Sequence, residues 1–316
     1  VAAFVAYAVT EYAQTGALSS ISRQFDTRTI VLMPIAIAIN IILGATVANA
    51  LKIPIYLDSI GTILVGALAG PIPGALTGFL ANILWTYVVP PPFQNGPAAA
   101  FAVVAAVIGL MAGLAGRMGW LRPRLNRSTG QLAGGAVLTI AVILGMAWLA
   151  YLGWTSPAFG GEVVFGVNEG SDVIFTILGW LVLFLVAATV VGLLAILFLR
   201  RDLTGAYVVV AGLATGIVAA LISAPISAGV FSGVTGGGTD FLVAALRQAG
   251  ADIGAATLGQ GLISDPIDKI TTFFVVYLIL SAMARSTKAR FPQGERLIEG
   301  DEGTLPGESG WRGATA

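Results

Sequence analysis

The chain has 316 residues, 57% of them hydrophobic and 10% charged, with 41 glycines, a mean hydropathy of +0.90 and a formal net charge of zero. That composition lies far from the soluble average and predicts an all-α, polytopic membrane protein in contact with the lipid bilayer. The absence of Cys and His excludes disulfide frameworks, thiolate and imidazole metal sites and Ser-His-Asp triads, so neither enzymatic activity nor a cofactor is expected, and the charge balance gives no sign of nucleic-acid binding.

Val1–Val9 is apolar but too short to span, and reads either as the tail of a longer helix or as a loosely docked terminus. Glu11–Arg28 is polar and mixed, a cytoplasmic linker. Ile30–Leu51 is long enough to cross a hydrocarbon core of roughly 30 Å, which takes about 20 residues. Asn40 and Asn49 within it are expensive against lipid and are expected to face the bundle.

The stretch Lys52–Gly78, KIPIYLDSIGTILVGALAGPIPGALTG, organises the rest of the chain. Its apolar run Ser59–Gly70 is too short to cross alone and belongs inside a bundle. Thr62, Gly66, Gly70, Gly74 and Gly78 recur every fourth residue, a small-residue face along which other backbones can approach. Pro71 and Pro73 divide that face between two helices meeting at a tight corner. Gly74–Val89 runs outward with Asn82, Trp85 and Tyr87 near its end, PPPFQNGP forms an outer loop, and Ala98–Arg117 returns with Ala105, Gly109 and Gly113 as a second small-residue face.

Arg117, Arg122, Arg124 and Arg127 mark that end as cytoplasmic. Gln131–Gly153 goes out, an acidic loop carries Glu162, Glu169 and Asp172, and Val173–Leu199 returns to Arg200 and Arg201. Ala206–Ala224 goes out with Gly212, Gly216 and Ala220 on one face. The Gly-rich segment after it reads as outer loops and short helices, partly re-entrant, with Thr239 or Asp240 capping a helix to about Gln248. Pro266–Ala284 crosses inward to Arg285, Lys288 and Arg290, and from Pro292 the tail reads as disordered. This gives eight spans with every basic cluster on one side.

Two polar constellations are candidate binding sites. Gln260, Asp265, Asp268 and Lys269 lie near membrane depth, where a carboxylate is normally paired or faces water. Asp265 reads either as the N-cap of a helix beginning at Pro266 or as a partner of Lys269 beside a ligand cavity. The second set, Asp58, Gln94, Asn95, Thr239 and Asp240 with Trp85 and Tyr87, combines aromatic walls with polar groups in the manner of a small-molecule pocket. Interfacial aromatics and Asn-Gly turn chemistry explain parts of it equally. Asn40 and Asn82 complete the candidate substrate-binding residues. VTGGGTD reads as a flexible hinge or as an anion cradle of backbone amides.

IPIYLDSIGTILVGALAGPIPGALTGFLANIL resembles the second and third membrane helices of the S components, the substrate-binding membrane subunits of energy-coupling factor (ECF) vitamin transporters. GVFSGVTGGGTDFLVAAL and LISDPIDKITTFFVVYLI resemble the C-terminal part of the same group. The resemblance implies a six-helix core with an outer pocket closed by the loop Lys52–Asp58, a vitamin or similar micronutrient as substrate, a transmembrane coupling subunit with two cytoplasmic ATPases as partners, and a multi-pass place in the cell membrane. It divides the chain into an N-terminal segment and linker (1–29), the first four core helices (30–119), an inserted helical pair (120–202), the C-terminal core (203–286) and a polar tail (287–316). The family's coupling surface, often Ala-x3-Ala on the first helix, maps onto Ala36, Gly44 and Ala48, in Ala36-x3-Asn40 and Gly44-x3-Ala48. A structural or accessory subunit that keeps the fold without transport is the alternative, and a secondary transporter with an Asp268–Lys269 relay ranks last, there being no visible inverted repeat.

Overall fold

The computed structural model describes residues 22–46, 56–125, 128–155, 173–237 and 239–298, with the side chains of 146–155, 173–183, 185–186 and 241 set aside. Several expectations fall outside those residues: the N-terminal segment to residue 21, Ala48 and Asn49, the loop from Lys52 to residue 55, the acidic loop with Glu162, Glu169 and Asp172, and the tail beyond residue 298.

Among the described residues the fold is all-helical. Helix α1 (Thr27–Gly44) starts at Asp26, whose carboxylate accepts a hydrogen bond from the Thr29 amide at 2.8 Å. Met33, Ala36, Ile37, Asn40 and Gly44 form its buried stripe at helical spacing, and Ile30, Val31, Ile35 and Ile42 point away from the bundle. Helix α2 (Ile60–Ala69) is buried at all ten positions, as a run too short to cross by itself demands. Gly70 then turns the chain with φ 128°, a conformation that favours glycine, and α3 (Pro71–Tyr87) begins at once with Pro71 in its first turn.

The two small-residue faces read from the sequence meet each other. Helix α4 (Ala102–Arg117), reached through the 3-10 turn Gly96–Phe101, runs antiparallel to α3 so that Gly78 faces Ala105, Gly74 faces Gly109 and Pro71 faces Gly113. Gly66 of α2 completes the junction, since a Cβ there would lie 2.8 Å from the Gly109 carbonyl oxygen. A second pair repeats the device: α7 (Thr204–Phe231) sets Gly212 against Ile270, Gly216 against Pro266 and Ala220 against Gly261 of the long helix α9 (Ile253–Ala282). The two pairs share one core, in which Ile63 and Leu68 of α2 join Phe273 and Tyr277 of α9.

Helices α5 (Thr129–Thr155) and α6 (Val173–Leu199) pack beside α7 and α9 through Leu132, Ala136, Leu197 and Leu203, and through Gly192 against the Phe274 ring. Asp202 joins this region to the core: its carboxylate accepts from the Arg124 amide, the Thr204 amide and hydroxyl, and the Tyr277 hydroxyl, at 2.6 to 2.9 Å. Among the described residues three segments, Thr27–Gly44, Gly96–Arg117 and Thr204–Phe231, are long and apolar enough to cross a membrane.

Three expectations are corrected. Helix α7 continues through Pro225 to Phe231, and α9 begins at Ile253, so Asp265 and Pro266 sit inside a helix. The N-cap is Asp252, which accepts from the Ala255 amide at 2.8 Å. Residues 287–298 are also not loose: α10 (Arg285–Lys288) leads to a 3-10 turn, Gly294–Leu297, docked under α2. The Gln293 amide donates to the Leu68 carbonyl at 2.8 Å, the Arg296 guanidinium donates to the Arg117 carbonyl at 2.6 Å, and Leu297 is 1% exposed. The expected short helix after the glycines is present as α8 (Asp240–Gln248), with Thr239 at its cap position but making no capping hydrogen bond.

Candidate functional site

At the end of the bundle away from the arginines of α4 and α10, residues from most of the chain surround a cavity of about 130 Å³, room for on the order of ten waters. Asn40 reaches it from α1, Tyr56, Asp58 and Ser59 from the segment before α2, and Asn82 and Trp85 from α3. Asn95 and Phe101 come from the loop and turn before α4, Ser223 and Ser227 from α7, and Gln260, Asp265 and Lys269 from α9.

The charged centre lies where α9 passes the start of α2. Lys269 is buried, donates to the Ser59 hydroxyl at 2.9 Å, and pairs directly with Asp268 and with Asp58 at 3.9 Å. Asp268 is wholly buried and does not line the cavity. Its other oxygen accepts the amides of Tyr56 and Leu57 at 3.1 and 2.9 Å, which holds Leu57 in a left-handed conformation with φ 51°. Such a backbone costs of order 1–3 kcal/mol and persists only where its surroundings impose it. Asp268 therefore positions the wall and Lys269 from outside the cavity lining.

Burial raises the Asp58 carboxyl above the usual carboxylate range, against the pull of the Lys269 ammonium. Burial, reinforced by the nearby carboxylates, likewise keeps the Tyr56 hydroxyl protonated well above its ordinary range. That hydroxyl shares a 2.6 Å hydrogen bond with the Thr239 hydroxyl, which fastens the segment before α2 to the start of α8.

The other expected site residues divide into cavity walls and supports. Asn40 bridges α1 and α2, donating to the Thr62 hydroxyl and accepting from the Gly61 amide, both at 2.7 Å. Asn82 lines the cavity with no hydrogen-bond partner among the described residues. Trp85 is 3% exposed and donates from its indole nitrogen to the Phe93 carbonyl at 2.8 Å, so it is a wall of the cavity, whereas Tyr87, at 73% exposure, points away. Gln260 donates to the Ser264 hydroxyl at 2.7 Å, and that hydroxyl donates to Asp265 at 3.3 Å, a relay along one turn of α9.

Gln94, Thr239 and Asp240 are supports and do not line the cavity. The Gln94 amide donates to the Thr86 carbonyl at 2.6 Å. Asp240 accepts from the Thr235 amide and hydroxyl and from the Gly236 amide, at 2.7 to 3.1 Å. The anion gathered by the glycine-rich turn is thus the chain's own Asp240. Of the expected coupling surface, Ala36 is buried against the Gly61 backbone, and Gly44 against the Trp85 ring.

Tyr56, Ser59, Phe101, Ser223 and Ser227 line the cavity without having been singled out. Ser223 and Ser227 were the most discoverable, two hydroxyls four residues apart in an apolar helix. Tyr56 stands two residues before Asp58, where its aromatic character blends into the apolar entrance of α2. No family model, curated protein or solved structure matches the chain.

Proposed function

We propose that this chain is the substrate-binding membrane subunit, an S component, of an energy-coupling factor transporter that takes up a vitamin or similar micronutrient. The cavity carries the reading. Helices and connecting segments widely separated along the sequence converge on one small volume whose walls combine Trp85, Phe101 and Tyr56 with placed polar groups, the general makeup of a small-molecule site. Side chains that served only to pack the bundle would have filled that space, because protein interiors are close-packed.

In this reading the cavity end faces outward, and the segment holding Tyr56 and Leu57, fastened by Asp268 and Thr239, is the gate that closes over substrate. A multi-pass placement in the cell membrane, a six-helix body with α5 and α6 inserted, and association with a transmembrane coupling subunit and an ATPase pair belong to the same proposal. The second reading, an accessory subunit of a larger membrane complex that has lost transport, is favoured by the inward-facing Ala36 and Gly44. Native mass spectrometry of the gently solubilised protein separates the two. A released micronutrient-sized ligand together with an ATPase pair is the expected result; a ligand-free chain held by unrelated membrane subunits would remove transport.

A further inference from the structure

Resting on the reading of the cavity as a substrate site, we propose that its ligand is a small organic cation, recognised by Asp265 and Asp58 beside aromatic walls. Among the described lining residues the carboxylates are Asp58 and Asp265, and Lys269 is the cation. A third carboxylate, Asp268, stands directly behind Lys269. The ammonium donates to Asp268 and Ser59 and has Asp58 as a further ion-pair partner at 3.9 Å, so an anionic ligand would compete with carboxylates already paired to it. A guest carboxylate would have to displace Asp58 and would meet Asp265.

Asp265 is differently placed. Its hydrogen bond among the described residues comes from the Ser264 hydroxyl, at 3.3 Å, which leaves most of the acceptor capacity of a carboxylate unused. A half-buried carboxylate beside like charges gains from a cation or proton that offsets them. A ligand ammonium or charged ring nitrogen meets that need, and Trp85, Phe101 and Tyr56 line the same space with the aromatic side chains that attract cations. The Asn82 amide, unpartnered among the described residues, and the hydroxyls of Ser223 and Ser227 are neutral and serve the rest of the molecule. The volume of about 130 Å³ restricts that molecule to one of modest size.

The test uses the full chain in phosphatidylcholine nanodiscs, with empty nanodiscs as control, and three probes of one shape: phenethylamine, 2-phenylethanol and phenylacetate. Binding is read by calorimetry near neutral pH. The amine should bind about tenfold or more tighter than the alcohol, with the acid weakest. Asp265→Asn should abolish the amine's advantage, and Asp265→Glu, which keeps the charge, should retain it, separating charge from folding. Equal or better binding of the alcohol or the acid overturns the cation inference and leaves the ligand-site reading standing. Binding by none of the three at millimolar concentration overturns both.

Discussion

A Cβ on Gly74 would lie 2.7 Å from the carbonyl oxygen of Gly109, so α3 and α4 touch backbone to backbone at the centre of the bundle. Side chains of ordinary size would force the two helices apart and with them Asn82 and Trp85 of α3 and Val104 and Ile108 of α4, which line the cavity. Gly109→Val should therefore destabilise the fold by about 3 kcal/mol, the upper end for overpacking of a close-packed core. Thermal unfolding of the detergent-solubilised variant checks this, and an unchanged midpoint would show that the helices have room for a side chain between them.

Among the described residues Asn40 is the polar tie between α1 and the buried helix α2, satisfying the Thr62 hydroxyl and the Gly61 amide together. Asn40→Ala leaves both groups without a partner in an apolar setting, with an expected cost of about 2–3 kcal/mol. Asn40→Asp keeps the acceptor for the Gly61 amide, but adds a charge among buried groups and should be at least as harmful. The measurement is the unfolding midpoint of each variant, and wild-type stability in Asn40→Ala would refute the bridge.

The small-residue stripes were legible because glycine every fourth residue on an apolar helix has one economical use, close backbone approach; Gly66, Gly74, Gly109, Gly212 and Gly216 all have it. Asp265–Pro266 misled because a carboxylate before proline is the ordinary chemistry of a helix start. Here Pro266 instead lies in a helix interior against Gly216, whose missing side chain makes room for it. The docked segment around Leu297 was hidden by its polar neighbours, since one buried leucine leaves no periodicity to read. Within the site, sequence reasoning found the charged residues of α9, but could not separate Asp268 as a support from Lys269 as a wall. They are adjacent in sequence, and the loop amides that claim Asp268 come from Tyr56 and Leu57, more than two hundred residues away.

Removing one partner from the buried centre should be far more damaging than removing two. Lys269→Met strands Asp268 and Asp58 without their cation, with an expected loss of about 3–5 kcal/mol. Adding Asp268→Asn keeps an acceptor for the Tyr56 and Leu57 amides while deleting the stranded charge, and should recover a large part of that loss. The unfolding midpoints of the single and double variants test the coupling. A double variant no better than Lys269→Met would mean that Asp268 acts through something other than its charge.

Asp58 should couple stability and binding to pH in opposite directions. Its folded carboxyl titrates above the usual range because of burial, so between about pH 4, where an unfolded Asp titrates, and the raised folded value the folded chain holds a proton that the unfolded chain has released. The stabilising contribution is fully present below the unfolded pKa and is lost as pH rises through the folded one. Wild type should therefore gain more thermal stability than Asp58→Asn on acidification from neutral pH toward mild acid. Over the same window protonation discharges a carboxylate of the cavity wall, so amine binding should weaken while stability rises. Scanning fluorimetry and amine titration of both proteins across that range provide the check, and parallel pH profiles would remove Asp58 from either role.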